Sequence, residues 1–211
     1  MQVNLSAMRT PKSAPGDWLD IDAATGWMSA SHRVLSPNCD PRPAGHQPEL
    51  IVVHGISLPP GRYGGPWIDR LFTNALPLEA DPYFATIQEL RVSSHVLIAR
   101  DGALTQYVPF GMRAWHAGPS NWCGREACND FSIGIELEGA DQEPYDDRQY
   151  PVLAALITAL QRAYPSLASG AIAGHSDIAP GRKTDPGPAF DWRRLEREVV
   201  FAGGRLRRER A

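Results

Sequence analysis

The chain is 211 residues long and carries 21 Lys+Arg against 24 Asp+Glu, a formal charge of −3. That length suits one domain with its own core, and the near balance of charge excludes a global pull on nucleic acid or an anionic membrane. With 43% hydrophobic and 21% charged residues, the chain is also too apolar to be disordered.

Residues 1–16 read as a flexible extension, with no apolar signal core before Asp17. The proline-rich stretch 36–43 reads as irregular. Leu50-Ile51-Val52-Val53-His54, closed by Gly55, has the pattern of a buried strand. Trp67, Ile68, Leu71 and Phe72 recur at helical spacing. Residues 93–99 and 104–108 read as two strands joined at Arg100-Asp101-Gly102, because Asp-Gly supplies the positive φ of a hairpin turn. In residues 131–138 alternation places Phe131, Ile133, Ile135 and Leu137 on one face and Ser132, Gly134, Glu136 and Glu138 on the other. A helix over about 147–164 carries the stripe Val152, Leu153, Leu156, Ile157 and Leu160, with Pro151 in its first turn. Residues 171–175 read as a last strand ending in His175, and Asp191 caps a terminal helix. Segment 193–211 holds seven arginines against three glutamates and reads as a helix end with a solvated tail rather than a nucleic-acid arm. Strands and helices interleave, so the expected fold is α/β: a single domain with a central mixed β-sheet flanked by α-helices.

Three cysteines (Cys39, Cys123 and Cys128) form no disulfide framework, and no apolar run approaches the roughly 18 residues of a membrane-spanning helix. A cytoplasmic protein is therefore expected. Two histidines end strands beside glycine, His54 and His175. The irregular stretch after His175 can fold back and bring Asp185 to the same point. Two imidazoles and a carboxylate with a fourth position open are the ligand set of catalytic zinc. Two hydrogen-bonded histidines and a capping Asp explain the same residues without a metal. A hydrolytic site also needs a proton carrier and a positive group for the oxyanion. Glu136, central in its strand, fits the first role better than Glu138. Lys183 fits the second, if it is not a solvated surface lysine. His116, Cys123 and Cys128 are one ligand short of a closed structural zinc site. His95 reads as a core histidine, and Cys39 and Cys128 as buried thiols.

Several stretches carry a resemblance. They are His54-Gly55-Ile56-Ser57-Leu58-Pro59-Pro60-Gly61, Arg91-Val92-Ser93-Ser94-His95, Gln106-Tyr107-Val108-Pro109-Phe110, Arg113-Ala114-Trp115-His116-Ala117-Gly118, and the runs from Cys128 to Gly139 and from Gly174 to Pro188. Together the chain resembles the zinc-dependent N-acetylmuramoyl-L-alanine amidases of the peptidoglycan-recognition fold. Within them it is most similar to the cytoplasmic 1,6-anhydro-N-acetylmuramyl-L-alanine amidases of bacterial cell-wall recycling. The resemblance runs from about Trp27 to Trp192. It implies an N-terminal extension (1–26), an amidase domain (27–201) and an Arg-rich tail (202–211). It also implies one Zn2+ per chain on His54, His175 and Asp185, Glu136 as acid/base, and Lys183 as electrophilic partner. The implied substrate is an anhydro-muropeptide, cut at the amide between the lactyl group and L-alanine, with Arg91, Trp115 and His116 expected at the substrate. A monomer is expected, with no nucleic-acid or membrane partner. A peptidoglycan-binding module without catalysis is the reading of another class, disfavoured by the complete His-His-Asp set. Two positions depart from the family pattern: Gly55, often Asn, and Ala127, often Arg, for which Arg125 is a possible substitute.

Overall fold

Buried apolar runs of the chain assemble around one seven-stranded mixed sheet. The computed structural model describes residues 19–29 and 31–208; the expected flexible extension over 1–16 lies outside them. In chain order come β1 (Ile21–Asp22), β2 (Trp27–Met28), β3 (His32–Arg33), β4 (Cys39–Pro41) and β5 (Leu50–Ile56). Helices α1 (Trp67–Phe72) and α2 (Pro82–Thr86) follow, then β6 (Val96–Ile98), β7 (Leu104–Gln106), β8 (Met112–Ala114), β9 (Asn121–Trp122) and β10 (Arg125–Glu126). The last part holds β11 (Ser132–Glu138), α3 (Gln149–Ala163), β12 (Ala171–Gly174), α4 (His175–Ile178), α5 (Trp192–Phe201) and β13 (Arg207–Arg208).

The sheet order is β13-β12-β5-β11-β6-β7-β3. β5 pairs in parallel with β12 and β11, β11 with β6, and β12 with β13; β6 and β7 form the antiparallel hairpin. Gly102 takes φ +88° at its turn, as the Asp-Gly pair requires. Alternation divides the two faces of the sheet. Ile51, Val53, Ile133, Ile135 and Leu137 face α3 and α5, meeting Leu153, Leu156, Leu160, Leu195 and Val199 in the main core. Leu50 and Val52 face the other way, beside Phe131, Ala173 and Ile178. His54 and Glu136 continue that second face, so the helical layer covers one side and the polar groups gather on the other.

α3 starts two residues before Pro151, where the missing N–H has no intrahelical acceptor to lose, and stops before Pro165. Its first residue, the buried Gln149, donates to the carbonyls of Ile98 and Glu138 at 2.9 and 3.1 Å, tying the helix to β6 and β11. The last expected strand stops one residue early: His175 opens α4 because the Asp177 carboxylate accepts the Gly174 N–H at 2.8 Å and turns the chain.

Several short elements escape the sequence reading, and three of them stand against a stated expectation. The stretch expected to be irregular contains β4, which pairs with β8 through Asp40 opposite Arg113. Arg113 grips both Asp40 carboxylate oxygens at 2.6 Å and Asp130 at 2.6 Å, a bidentate pair that overrides the proline-rich composition. Leu19 and Ile21, within the expected extension, are buried in the main core. In the expected tail, Arg207 and Arg208 add an edge strand to the sheet.

Leu156 is fully buried between helix and sheet. Leu156→Ala is expected to lower stability by about 2–5 kcal/mol, measured by urea unfolding with the m-value unchanged.

Candidate metal centre and active-site cleft

Register places the principal groups. Glu136 on β11 lies directly opposite His54 on β5, and Gly174 on β12 lies opposite Val53. Three adjacent parallel strands therefore deliver Glu136, His54 and His175 from their C-terminal ends, the edge where α/β sheets collect their sites. Asp185 arrives on the loop after α4. That loop is tied down by Ser176 N–H to the Asp185 carbonyl at 2.9 Å and by the Tyr145 hydroxyl to the Pro186 carbonyl at 2.9 Å. The Arg182 guanidinium adds bonds to the carbonyls of Ala117 and Pro119 at 2.6 and 2.7 Å.

Three atoms converge: His54 Nδ1 and His175 Nδ1 at 3.0 Å, His175 Nδ1 and Asp185 Oδ2 at 3.1 Å, and His54 Nδ1 and Asp185 Oδ2 at 3.3 Å. Their protonation follows from the partners behind them. His175 Nε2 faces the Ala117 carbonyl at 3.1 Å, which only accepts, so Nε2 carries a proton, and the neutral ring turns the lone pair of Nδ1 toward the other two atoms. His54 Nε2 faces His116 Nδ1 at 2.9 Å, and His116 Nε2 faces Ser132 Oγ at 3.2 Å. Ser132 spends its own proton on the Cys128 carbonyl at 2.6 Å. It must therefore accept from His116 Nε2–H, which leaves His116 Nδ1 to accept from His54 Nε2–H. His54 Nδ1 is then bare as well.

Burial, and next the neighbouring His175, pull the His54 imidazole down to about 4; burial and then His54 hold His116 well below its ordinary value. Both rings are neutral at pH 7. Burial opposes ionisation of Asp185, but the two imidazoles beside it outweigh that and hold the carboxyl below the usual range. Two lone pairs and an anion thus point at one another. That is a costly arrangement on its own and a suitable one for a cation, which requires neutral imidazoles and an ionised carboxylate. Zinc bonds of about 2.0–2.1 Å imply tetrahedral edges of about 3.3 Å, and the triangle's sides fit that size. The other ring N–H of each histidine already has an acceptor, as the outer shell of a metal-ligating imidazole does. Among the described residues this is the one group of three or more His, Cys, Asp or Glu placed to hold a metal; His116, Cys123 and Cys128 do not form a second.

The two carboxylates of β11 part ways. Glu138 accepts the N–H groups of Gly64 and, at 3.2 Å, Arg100, holding two loops in place. Glu136 is 8% exposed, and its Oε2 has no hydrogen-bond partner. Burial, then the Asp185 charge, raise the Glu136 carboxyl well above its ordinary value, against a lowering pull from Lys183. A desolvated carboxyl with a free oxygen in a cleft suits proton transfer. All seven residues of β11 are buried, so Glu136 is no surface side chain on an edge strand. Gly134 has its own reason: a Cβ there would stand 2.4 Å from His116 Cγ. The absent side chain makes room for the ring that supports His54.

Glu136, Lys183, Arg91, Trp115 and His116 all line one cleft of about 740 Å3 together with His54, His175 and Asp185. Lys183 and Arg91 are exposed, and Trp115 is half-buried. Leu58, Leu71, Phe72, Tyr83, Ile87 and Leu90 add an apolar wall. His95 is fully buried behind His116 and bonds to the Met112 carbonyl and the Gly134 N–H. Cys128 is buried and Cys39 partly so. At Gly55 a Cβ would stand 2.1 Å from the Tyr145 hydroxyl, so the departure from Asn coincides with the group that pins Pro186. Arg125 bonds Glu49 at 2.6 Å and lies 3.9 Å over the Phe131 ring, which commits it elsewhere than to Ala127. Sequence reasoning missed Asn129, whose Oδ1 accepts the N–H groups of His116 and Ala117, as well as Arg182 and Tyr145. Alternation puts Ser132 on the Glu136 face, and that is the signal in the sequence that ties it to the site.

The sequence profile of the N-acetylmuramoyl-L-alanine amidase family matches residues 44–188. The 1,6-anhydro-N-acetylmuramyl-L-alanine amidase AmpD of Escherichia coli (strain K12) is 60% identical over 170 residues, covering 81% of this chain and 92% of the relative. A crystal structure of a Se-Met AmpD derivative superposes with a TM-score of 0.82 at 57% identity, covering 85% of this chain and 98% of that one. A complex of the amidase AmiD from E. coli with anhydro-N-acetylmuramic acid-L-Ala-D-gamma-Glu-L-Lys superposes with a TM-score of 0.52 at 28% identity, covering 74% and 60%.

The hydrogen-bond chain behind His54 separates variants of His116 by whether they keep an acceptor for the His54 Nε2–H. His116→Asn keeps an acceptor near the place of Nδ1 and is expected to hold divalent ions nearly as the parent does. His116→Phe keeps the ring without the acceptor and is expected to weaken binding about 10–100-fold, measured by equilibrium dialysis.

Proposed function

The chain belongs to the N-acetylmuramoyl-L-alanine amidase family, and from that membership we propose a zinc-dependent hydrolase of anhydro-muropeptides. It cleaves the amide between (1,6-anhydro)-N-acetylmuramic acid and L-alanine of the stem peptide, in peptidoglycan recycling. The observation that carries the reading is the triangle of bare acceptors His54 Nδ1, His175 Nδ1 and Asp185 Oδ2, with the unpartnered Glu136 Oε2 in the same cleft. The names of the relatives support the substrate, and so does AmiD's complex with an anhydro-muramyl peptide.

Zinc held by His54, His175 and Asp185 would polarise the lactyl carbonyl and lower the pKa of a bound water toward about 7. Glu136 takes the proton of the attacking water and returns it to the departing alanine nitrogen. Its raised carboxyl suits both directions of transfer. Lys183 brings a positive charge to the developing oxyanion, a contribution of a few kcal/mol for a well-placed donor. Arg91, Trp115 and His116 are assigned to contacts with the sugar and peptide because they line the same cleft, and the wall from Leu58 to Leu90 offers apolar surface.

Every group named comes from one chain, so the reaction asks for no more than a monomer. The thiols of Cys39 and Cys128, neither in a disulfide, fit a reducing cytoplasm, and no helix among the described residues is long and apolar enough to cross a membrane.

The test is hydrolysis of anhydro-muropeptide beside intact sacculus, with zinc content measured in parallel. Activity on the first, its loss on chelation and its return with zinc are the expected results; an active metal-free protein would sink the proposal. Glu136→Gln is expected to lower kcat about 10²–10⁴-fold with zinc still bound. Lys183→Met removes a charge that favours the Glu136 carboxylate. The acid limb of the kcat/KM profile should then move to higher pH, since a base with a raised pKa stays protonated further up the scale.

A further inference from the structure

The family match ends at residue 188, yet the chain well past that point returns to the sheet. Gln161 holds the backbone of Arg205 through both ends of its amide: it accepts from Arg205 N–H at 2.9 Å and donates to the Arg205 carbonyl at 2.6 Å. Arg207 N–H then reaches the Gly170 carbonyl at 2.7 Å. β13 pairs in parallel with β12, Arg208 opposite Ile172. The Arg208 guanidinium lies 4.1 Å over the Trp192 ring. It donates from Nε to Asp177 Oδ2 at 3.1 Å and from Nη2 to both Asp177 oxygens at 3.0 Å. Both side chains are largely shielded, 20% and 11% exposed. Asp177 Oδ2 also accepts the Gly174 N–H at 2.8 Å, and the next residue is His175.

We propose that Arg208 is a positioning residue for His175: it fixes the Asp177 carboxylate, which holds the Gly174–His175 corner where β12 turns into α4. α4 has four residues, too short to set its own direction. A carboxylate bound to one N–H could swing about its side-chain torsions. With a guanidinium fork on its other side, itself stacked on Trp192, it cannot. A ligating imidazole must be held to within about half an ångström, so the orientation of this corner is part of the site. The proposal rests on the metal reading above, extending it to a segment outside the family match.

The experiment uses the full chain with Arg208→Ala, Arg208→Gln, Asp177→Asn and the double variants, read by amide hydrogen exchange on the metal-free protein and by zinc affinity. In the Arg208 variants the Gly174 amide is expected to exchange faster, while the Ile135 amide in the centre of the sheet is unchanged. Zinc affinity is expected to fall about tenfold, the low end of the range for groups that orient ligating histidines, and excess zinc to restore turnover. In the Asp177→Asn background, Arg208→Ala should add no further loss. Unchanged Gly174 exchange and zinc affinity in both Arg208→Ala and Arg208→Gln would overturn the proposal. So would full additivity with Asp177→Asn, since Arg208 would then not act through that carboxylate. A parent chain without zinc affinity would overturn the metal reading and this proposal with it; the parent's own titration reports that separately from any variant.

Discussion

Two imidazole nitrogens and a carboxylate oxygen face one another at 3.0–3.3 Å, and the surrounding structure is organised to keep them so. Left alone, such a cluster would take up a proton or rotate apart. Rotation is blocked because each ring is held from behind: His175 by the Ala117 carbonyl, His54 by the chain through His116 and Ser132 to the Cys128 carbonyl. Protonation is opposed by burial. The energy stored in this arrangement is what a bound cation would release, which makes binding and local order one event.

The same constraint explains features that look unrelated in sequence. Gly134 is small because His116 needs the volume above it. Asn129 is an amide because one oxygen has to satisfy the N–H groups of two successive residues, His116 and Ala117. Arg182 closes the loop that carries Lys183 and Asp185 onto the carbonyls of Ala117 and Pro119. Gly134 acts by leaving room for a ring, Asn129 and Arg182 by fixing the backbone from which the cleft side chains project.

How much of this was legible follows from what kind of signal each part leaves. β5 announces itself as a continuous β-branched run ending in His54 beside a glycine, and β11 through an alternation that sets Glu136 apart from the apolar positions. α3 is legible from its stripe and its bounding prolines. β4, β8 and β13 are two or three residues long, and their pairing depends on partners such as Arg113 and Gln161, which have no periodicity to read. The same holds for the support roles of Asn129, Arg182 and Tyr145. They are hydrogen bonds to backbone, set by proximity across 12 to 65 positions of sequence, and no local pattern encodes them. Sequence ranks Glu136 above Glu138 only by its central place in the strand, since both lie on one face; the difference in their hydrogen-bond partners leaves no sequence signal.

The in-register parallel pairing of β5 with β11 has an evolutionary consequence. The lateral separation of His54 and Glu136 is set by backbone hydrogen bonding between neighbouring strands, about 4.8 Å in any sheet. The apolar wall and Arg91, by contrast, belong to the connections between strands. Drift in those connections can reshape the wall of the cleft without disturbing the spacing of His54 and Glu136, so the two can be selected almost independently.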